Sequence, residues 1–303
     1  MPRRARTDYP GAIHHVMNRG IDHQAVFLTD GDRLDFGRQM AAVHERFEVD
    51  FLAYCLMGNH YHLLVRSNAG RLSEAMRHLS TTYVRHLNDR VGRDGPLFRG
   101  RYRSKIVASD AYLSWVTRYI HRNPLPIVDG EPLDRYRWSS YPAYLGRRPR
   151  PLFLDPEPVL TMFHHDAVEF EEFTTGDTVE ISDWRLDDLR DVVDLAIVED
   201  ERAFDAEAHH GQLARTIVTL VADLLPLPAF DPAGCAVAAG TSRSAWERAV
   251  RRATSRASDP EVIRIVARVL AHLDAGGQMG SGTFWRSAGS ALRPAGQKVP
   301  DPI

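Results

Sequence analysis

Cysteine, lysine and long hydrophobic runs are all scarce in this 303-residue sequence. The two cysteines, Cys55 and Cys235, are far apart, which excludes a disulfide framework and a cysteine-based zinc site. No stretch approaches the roughly 18 apolar residues that a membrane-spanning helix needs. The basic start MPRRAR is followed by TDYPG instead of an apolar core, which argues against a secretion signal. We therefore expect a cytoplasmic protein with no membrane partner.

The scarcity of lysine goes with an uneven distribution of charge. Residues 1–150 hold 24 Lys/Arg against 15 Asp/Glu, a balance of +9, and Lys105 is the only lysine among them. Residues 151–303 hold 14 against 25, a balance of −11. The planar guanidinium fork of arginine fits phosphate better than the point charge of lysine does. This favours a nucleic-acid partner, although an arginine-rich solvated surface would give the same count.

Residues 51–66, FLAYCLMGNHYHLLVR, predict two strands joined by a tight turn. Gly58 and Asn59 are residue types that supply positive φ in two-residue hairpins. Side chains alternate along a strand, so His60 and His62 share one face, about 6 to 7 Å apart. Two imidazoles at that spacing can bind one divalent ion. A pair of surface histidines on a half-exposed strand is the alternative.

The order of elements predicts an α+β fold. A strand at 12–18, an amphipathic helix at 30–47, the hairpin and a second helix at 72–87 give the order β, α, β, β, α. A further strand at 102–108 would complete a ferredoxin-like antiparallel sheet with helices.

The segment GPLFRGRYRSK precedes this last strand and is rich in cations. If it is extended, its alternate cations form one row, here called the arginine row: Arg99, Arg101, Arg103 and Lys105. Such a row suits a nucleic-acid backbone, and Phe98 and Tyr102 between the cations could stack on unpaired bases, worth about 1 to 3 kcal/mol each. A strand edge protected by solvated charge is the alternative.

The segment AYLSWVTRYIHRN predicts a helix that Ser109 or Asp110 caps and Pro124 stops. Tyr119 and Asn123 are four residues apart, so they project from the same side of its last turn. Packing in the core is the usual role of a tyrosine on an apolar helix.

Five motifs in this order resemble the REP-associated tyrosine transposases, which are single-tyrosine HUH transposases: AIHHVMNRG, AYCLMGNHYHLL, GPLFRGRYRSK, RYIHRNP and YRWSSYPAYLG. The resemblance covers about residues 9–150 and defines 1–150 as the expected catalytic domain. Gly58 departs from the family pattern, in which proline commonly stands. Glycine permits every φ that proline does, so the turn should survive.

The resemblance implies a metal-dependent endonuclease and strand transferase for single-stranded DNA near hairpins. By motif match His60 and His62 are the HUH histidines, Tyr119 is the nucleophile that forms a 5′-phosphotyrosine, and Asn123 is a third ligand of Mg²⁺ or Mn²⁺. His15 matches a first-strand histidine whose expected role is structural. A DNA-processing role would make the protein nucleoid-associated.

Two other functions stay open at this point. One is a catalytically silent, sequence-specific DNA-binding regulator, which the joint presence of the four site residues disfavours. The other is a metallo-phosphoesterase that uses water, in which Tyr119 would be mere packing. The target sequence, strand rejoining and the choice between monomer and dimer are not fixed by the sequence.

The second half is expected to contain an acidic linker or helical segment at 151–210, a smaller all-α domain at 211–275 and a disordered tail at 276–303. Between residues 155 and 207 there are 18 Asp/Glu against three Arg, which a surface facing phosphate would not tolerate.

Helices at 212–224, 231–239 and 241–253, with Gly240 in a turn, resemble a helix-turn-helix. The last helix carries four candidate DNA-contacting cations: Arg243, Arg248, Arg251 and Arg252. A small helical domain with a solvated basic face is the alternative.

Overall fold

A computed structural model describes residues 7–128, 130–176, 184–200, 207–224, 230–257 and 259–273. The chain divides into two compact units, Met1–Thr175 and Gly176–Ile303. The tail expected to be disordered at 276–303 lies outside the described residues. No helix in the described parts of the chain is long and apolar enough to cross a membrane.

The first unit is built on a four-stranded antiparallel sheet of spatial order β2-β3-β1-β4. Its strands are β1 (Ala12–Arg19), β2 (Val49–Leu56), β3 (His60–Ser67) and β4 (Arg103–Ile106). Helix α1 (Asp30–Phe47) follows β1, and α2 (Leu72–Val91) follows β3. This order and pairing confirm the predicted ferredoxin-like sheet.

Helices α1 and α2 cover one face of the sheet. Thr29 caps α1 with Asp32 in a reciprocal capping box, which satisfies two of the amide groups that a helix start leaves without partners. The helices bury one alternating set of strand side chains in the core: Val16, Phe51, Tyr61, Leu63 and Val65. His60 and His62 therefore point to the opposite face, as alternation predicts.

The β2–β3 turn departs from the expected geometry. Neither Gly58 nor Asn59 has positive φ. The loop that follows β1 holds the turn instead. The carbonyl of Gly58 accepts bonds from the amides of Val26 and Phe27 at 2.9 and 3.1 Å, and the carbonyl of Asn59 accepts from Gly20 at 2.9 Å. Tertiary hydrogen bonds therefore fix a turn that was predicted from local residue preference.

Helix α3 (Asp110–Arg122) contacts β2 and β3. The Ser109 hydroxyl accepts from the Tyr112 amide at 3.0 Å, which confirms the predicted cap. Asn123 lies just beyond the helix, with helical φ and ψ of −54° and −32°, and Pro124 follows. Tyr119 and Asn123 therefore stay on one side of the final turn.

The motif YRWSSYPAYLG pairs with the outer edge of β2. Leu56 donates its amide to the Trp138 carbonyl at 2.9 Å, and the Ser140 amide donates to the carbonyl of Tyr54 at 3.0 Å. Covering an edge in this way satisfies groups that would otherwise invite pairing with another chain. The motif is thus part of the scaffold of the sheet.

The segment predicted as one acidic region, 151–210, is divided between the units. Helix α6 (Ala167–Thr175) packs on α3 in the first unit, where Arg118 donates to the Phe173 carbonyl at 2.8 Å and Arg122 to that of Thr174 at 2.9 Å. The short helices before it are α4 (Tyr141–Tyr144) and α5 (Glu157–Leu160). Single 3-10 turns lie at Ile21–His23, Leu125–Ile127, Leu133–Arg135 and Thr161–Phe163.

The described part of the second unit is helical. Its helices are α7 (Leu186–Glu199), α8 (Glu207–Leu224), α9 (Pro232–Ala238), α10 (Arg243–Thr254) and α11 (Pro260–Leu273). Helices α9 and α10 contact each other, and α10 and α11 both contact α8. Gly240, with φ of +61°, turns the chain between α9 and α10, where a side chain would be strained. The further all-α region of the predicted fold class is confirmed.

Candidate active site

Three histidines meet on the face of the sheet that α1 and α2 leave uncovered. His60 and His62 project from β3 with ring centroids 5.2 Å apart. His15 projects from the neighbouring β1, and its Nε2 lies 3.0 Å from Nδ1 of His62. Because β1 and β3 pair with Met17 opposite His62, His15 reaches His62 diagonally across the two strands. His15 and His62 are buried, and His60 is half-buried.

His60 is held between two asparagines. Its Nδ1 lies 2.7 Å from Oδ1 of Asn59, and its Nε2 lies 3.0 Å from Oδ1 of Asn123. An amide oxygen can only accept, so a neutral imidazole can donate to one of these oxygens and faces the other with a lone pair. Two such lone pairs at 3.0 Å repel each other. A metal ion shared by the two atoms removes that repulsion, and so does a rotation of the Asn123 amide that turns its NH₂ donor toward Nε2.

Tyr119 lies beside the histidines. Its ring meets that of His62 edge-on at 5.2 Å and that of His15 at 6.0 Å. On its own helix it stacks on Trp115, with ring centroids 5.5 Å apart and planes inclined by 12°, and Trp115 stacks in turn on Tyr112. Trp115 is buried, whereas Tyr119 is only half-buried. The stack holds the ring in place while part of it stays accessible.

A metal site here needs the amide of Asn123. Across the described residues, no three side chains of the His, Cys, Asp and Glu types converge in a way that could hold a metal ion. The imidazoles of His60 and His62 together with an amide oxygen form a nitrogen and oxygen ligand set that leaves coordination positions free for a substrate. The donor types and the proximity of His60 to Asn123 therefore fit a divalent cation such as Mn²⁺ or Mg²⁺.

Only two of the four residues of the arginine row lie in extended backbone. Arg103 and Lys105 lie in β4 opposite Met17 and His15, on the face of the sheet that carries the site histidines. Arg99 and Arg101 are exposed but lie in bends before the strand. Alternation along a strand therefore applies to two of the four cations, because the glycines and proline of GPLFRG interrupt the extended backbone.

The stacking role predicted for Phe98 and Tyr102 does not fit their positions. Both rings belong to the hydrophobic core, with 7% and 6% of their surface exposed. The Phe98 ring packs edge-on against Tyr61 at 5.8 Å, and the hydroxyl of Tyr102 lies 3.3 Å from that of Ser73 on α2. Their apolar area is worth more in the core than in solvent, so they anchor the row instead of offering faces to bases.

The four arginines of α10 are exposed in the second unit. Arg243 forms an ion pair with Glu247 at 3.1 Å, one turn along the helix. Trp246, on the same helix, is buried with 7% of its surface exposed. The helix therefore has a packed face and a basic solvent face.

Two side chains that were not predicted as part of the site contact its residues, and a third histidine lies in the packing beneath it. His15 was expected to be structural, yet it contacts both His62 and Tyr119. Asn59 was read as a turn residue, yet it orients His60. On α3 the neighbouring His121 is fully buried against Ser140, at 2.8 Å, and burial lowers its pKa to about 3. His121 therefore stays neutral and belongs to the packing beneath the site.

Comparison with known proteins bears on this arrangement. Residues 9–123 match the family model described as IS200-like transposase. The resemblance predicted from the motifs is thereby confirmed over this segment, and the match supports a DNA-processing function of the transposase type. No curated protein matches the chain. A solved REP-associated tyrosine transposase bound to a REP hairpin is similar with a TM-score of 0.41 and 13% identity, over 51% of this chain and 92% of that one.

Proposed function

We propose that the first unit is a metal-dependent endonuclease and strand transferase for single-stranded DNA near hairpins. Tyr119 is its nucleophile, and His60, His62 and Asn123 are its metal ligands. The hairpin preference is carried over from the motif resemblance. The DNA-processing role is supported by the family match over residues 9–123.

One observation carries the proposal: four residues spread over 63 positions come together where α3 packs on the face of the sheet opposite α1 and α2. His60 Nε2 is 3.0 Å from Asn123 Oδ1, and the ring of His62 is 5.2 Å from that of Tyr119. Core packing alone would not require two imidazoles, an amide and a phenol to share one partly solvated place. His60 also lies between the amide groups of Asn59 and Asn123, at 2.7 and 3.0 Å.

The reaction we propose is a transesterification. The Tyr119 oxygen bonds to the scissile phosphorus while the bond from phosphorus to the 3′ oxygen breaks. The phenol loses its proton and the departing 3′ oxygen gains one, so the products are a 5′-phosphotyrosine and a free 3′ hydroxyl. The bond energy of the phosphodiester is kept in the protein–DNA link, which allows a strand to be rejoined.

A divalent ion, when bound, would supply stabilisation of the negative charge that develops on the phosphate oxygens. The chain's own residues do the rest. Trp115 holds the ring of Tyr119 by stacking, which keeps the nucleophile in a fixed direction. Asn59 and His15 orient the two HUH imidazoles through their Nδ1 atoms.

The cations near the site suit the backbone of the bound strand. Arg103 and Lys105 share the site's face of the sheet, and Arg101 is exposed just before them. We assign these residues, with Arg99, to the DNA path. The exposed arginines of α10 are assigned to duplex or hairpin DNA, since a basic helix after a helix and a turn is a common reader of duplexes.

Detection of the covalent intermediate tests the proposal. Oligonucleotides tiled over both strands of the genomic sequence flanking this gene would be incubated with the full-length protein and Mn²⁺ or Mg²⁺, with EDTA as the blank. A 3′-labelled product should stay attached to the protein under denaturing conditions, and a 5′-labelled product should be released. The polarity of the label then reports which side of the break is linked.

Tyr119→Phe and Tyr112→Phe form a matched pair on one helix. Each removes a single oxygen from a stacked ring. Tyr119→Phe should lower adduct formation by at least about a thousandfold, while Tyr112→Phe should form the adduct normally. Cleavage without an adduct that survives Tyr119→Phe would show a water-using phosphoesterase instead. Specific binding without any cleavage, on every tile, would show a silent regulator.

A further inference from the structure

The contact between His15 and His62 joins two buried imidazoles. Their exposed fractions are 1% and 3%, their rings are stacked at 28° with centroids 5.2 Å apart, and Nε2 of His15 lies 3.0 Å from Nδ1 of His62. That distance is a hydrogen bond, and a hydrogen bond between two neutral imidazole nitrogens contains one proton. One of the rings must donate and the other accept.

The direction of this bond decides what His62 can do. If His62 donates from Nδ1, its Nε2 keeps a lone pair and can bind a metal ion. If His15 donates, His62 carries its proton on Nε2 and cannot be a ligand. Metal-binding histidines generally donate their second ring N–H to a neighbouring acceptor, which fixes the tautomer and the ring orientation.

His60, on the same strand, already shows such an arrangement. Its Nδ1 faces the amide oxygen of Asn59 at 2.7 Å, and this acceptor can receive only a donated N–H. Nε2 of His60 is thereby left with its lone pair toward Asn123. The two histidines would thus be presented in the same tautomer, each through its Nε2, but with different supporting acceptors.

We propose that His15 is a positioning residue that accepts the Nδ1 proton of His62 and so presents Nε2 of His62 to a divalent ion. This inference rests on the proposed function and assigns to His15 a task beyond packing. The β1–β3 pairing is what makes it possible, because Met17 lies opposite His62 and the next same-face position along β1 is His15.

Calorimetric titration of the full-length, DNA-free protein with Mn²⁺ tests this role. His15→Phe keeps an aromatic ring but removes the acceptor, and should weaken Mn²⁺ affinity by about ten- to a hundredfold. His15→Gln can place an amide oxygen near the position of Nε2 and should bind within a few-fold of the wild type. Met17→Leu, a volume-conserving change opposite His62 on β1, serves as the packing control and should leave the affinity unchanged.

A second measurement needs neither metal nor catalysis. In the metal-free protein labelled with ¹⁵N-histidine, His62 should be found as the Nδ1-protonated tautomer, its signals assigned by their loss in His62→Asn. In His15→Gln this tautomer should persist.

The outcomes separate the inference from the proposed function. Wild-type protein that does not bind Mn²⁺ would overturn the metal part of the proposed function. The tautomer of His62 would still show whether His15 accepts its Nδ1 proton. Nε2-protonated His62 in the wild type, or equal Mn²⁺ affinity in His15→Phe and the wild type, would overturn the inference. Equal weakening by His15→Gln and His15→Phe would show that the imidazole shape matters instead of the acceptor.

Discussion

The two faces of the sheet in the first unit use the same strands for different purposes. On the face under α1 and α2, Leu63 and its same-face neighbours are completely buried and touch other apolar side chains. On the opposite face, His62 is also buried but meets His15 and Tyr119. Burial alone therefore does not separate core from site. What separates them is whether a position needs apolar volume or particular nitrogen and oxygen atoms.

The strongest effects should come from replacing two adjacent residues of β3, one on each face of the sheet. His62→Asn should lower adduct formation by at least about a thousandfold, yet reduce the free energy of unfolding by only about 1 kcal/mol. Leu63→Ala removes fully buried apolar volume and should cost about 3 kcal/mol, with activity per folded molecule retained. Urea unfolding and the adduct assay, run on both variants, give the two readouts.

The opposite pattern would contradict the division of the sheet into a core face and a site face. It would appear as a large stability loss in His62→Asn, or as an inactive but well-folded Leu63→Ala.

His121 sharpens the comparison, because it is a histidine with a structural role. Its ring lies among Tyr144 and Phe170, at 4.8 and 5.8 Å, and burial lowers its pKa to about 3. In the unfolded chain His121 takes up a proton near pH 6.5, whereas in the folded chain it does so only near pH 3. The contribution of the neutral ring to stability is therefore fully present above pH 6.5 and is lost as the pH falls. The free energy of unfolding should drop by about 2 kcal/mol between roughly pH 7.5 and pH 5 on this account.

His121→Gln provides the check on that pH dependence. Glutamine can still bond Ser140 but does not titrate, so the variant should lose most of this slope in urea unfolding. A smaller slope should remain from His14, whose pKa burial also lowers, although its bond to Asp8 acts in the opposite direction. An unchanged slope in His121→Gln would mean that other groups carry the acid sensitivity.

The sequence predicted those parts of the site that depend on local periodicity. Alternation along β3 put His60 and His62 on one face, and the spacing on α3 put Tyr119 and Asn123 on one side. His15 was matched to a first-strand motif and expected to be structural, and its contact with His62 depends on which of His14 and His15 faces β3. A shift of one residue in the pairing of β1 with β3 would exchange the two, and that register is set by tertiary packing.

Two errors, at the β2–β3 turn and at Phe98 and Tyr102, concern segments in which tertiary contacts override local preference. The β2–β3 turn avoids positive φ because neighbouring amides hold its carbonyls. Phe98 and Tyr102 lie in the core and not on the predicted DNA surface, because the GPLFRG segment bends before the strand begins at Arg103. The division of the acidic segment after Thr175 depends on contacts of α6 with α3, about fifty residues earlier in the chain.

The last and smallest effects should separate two basic surfaces, one on each unit. Arg101→Ala with Arg103→Ala removes two cations beside the site, and Arg248→Ala with Arg251→Ala removes two from α10. The first pair should weaken binding to every DNA, including an unstructured strand, and flatten the salt dependence by at most about two units of slope. The second pair should weaken binding to hairpin or duplex DNA by a few-fold and leave the unstructured strand unaffected.

Each double variant is the charge-matched control of the other, because both remove two positive charges from exposed or half-exposed arginines. Binding to a hairpin and to an unstructured strand of equal length is measured over a salt series, and the affinity for the hairpin divided by that for the strand gives a selectivity ratio for each protein. This ratio should fall only in the α10 variant. Equal losses on both DNAs in both variants would show that α10 adds only general charge attraction, and an unchanged salt slope in the Arg101 and Arg103 variant would remove these residues from the DNA path. A lower ratio confined to the α10 variant would assign hairpin selection to the helical unit and general backbone binding to the cations of the sheet unit.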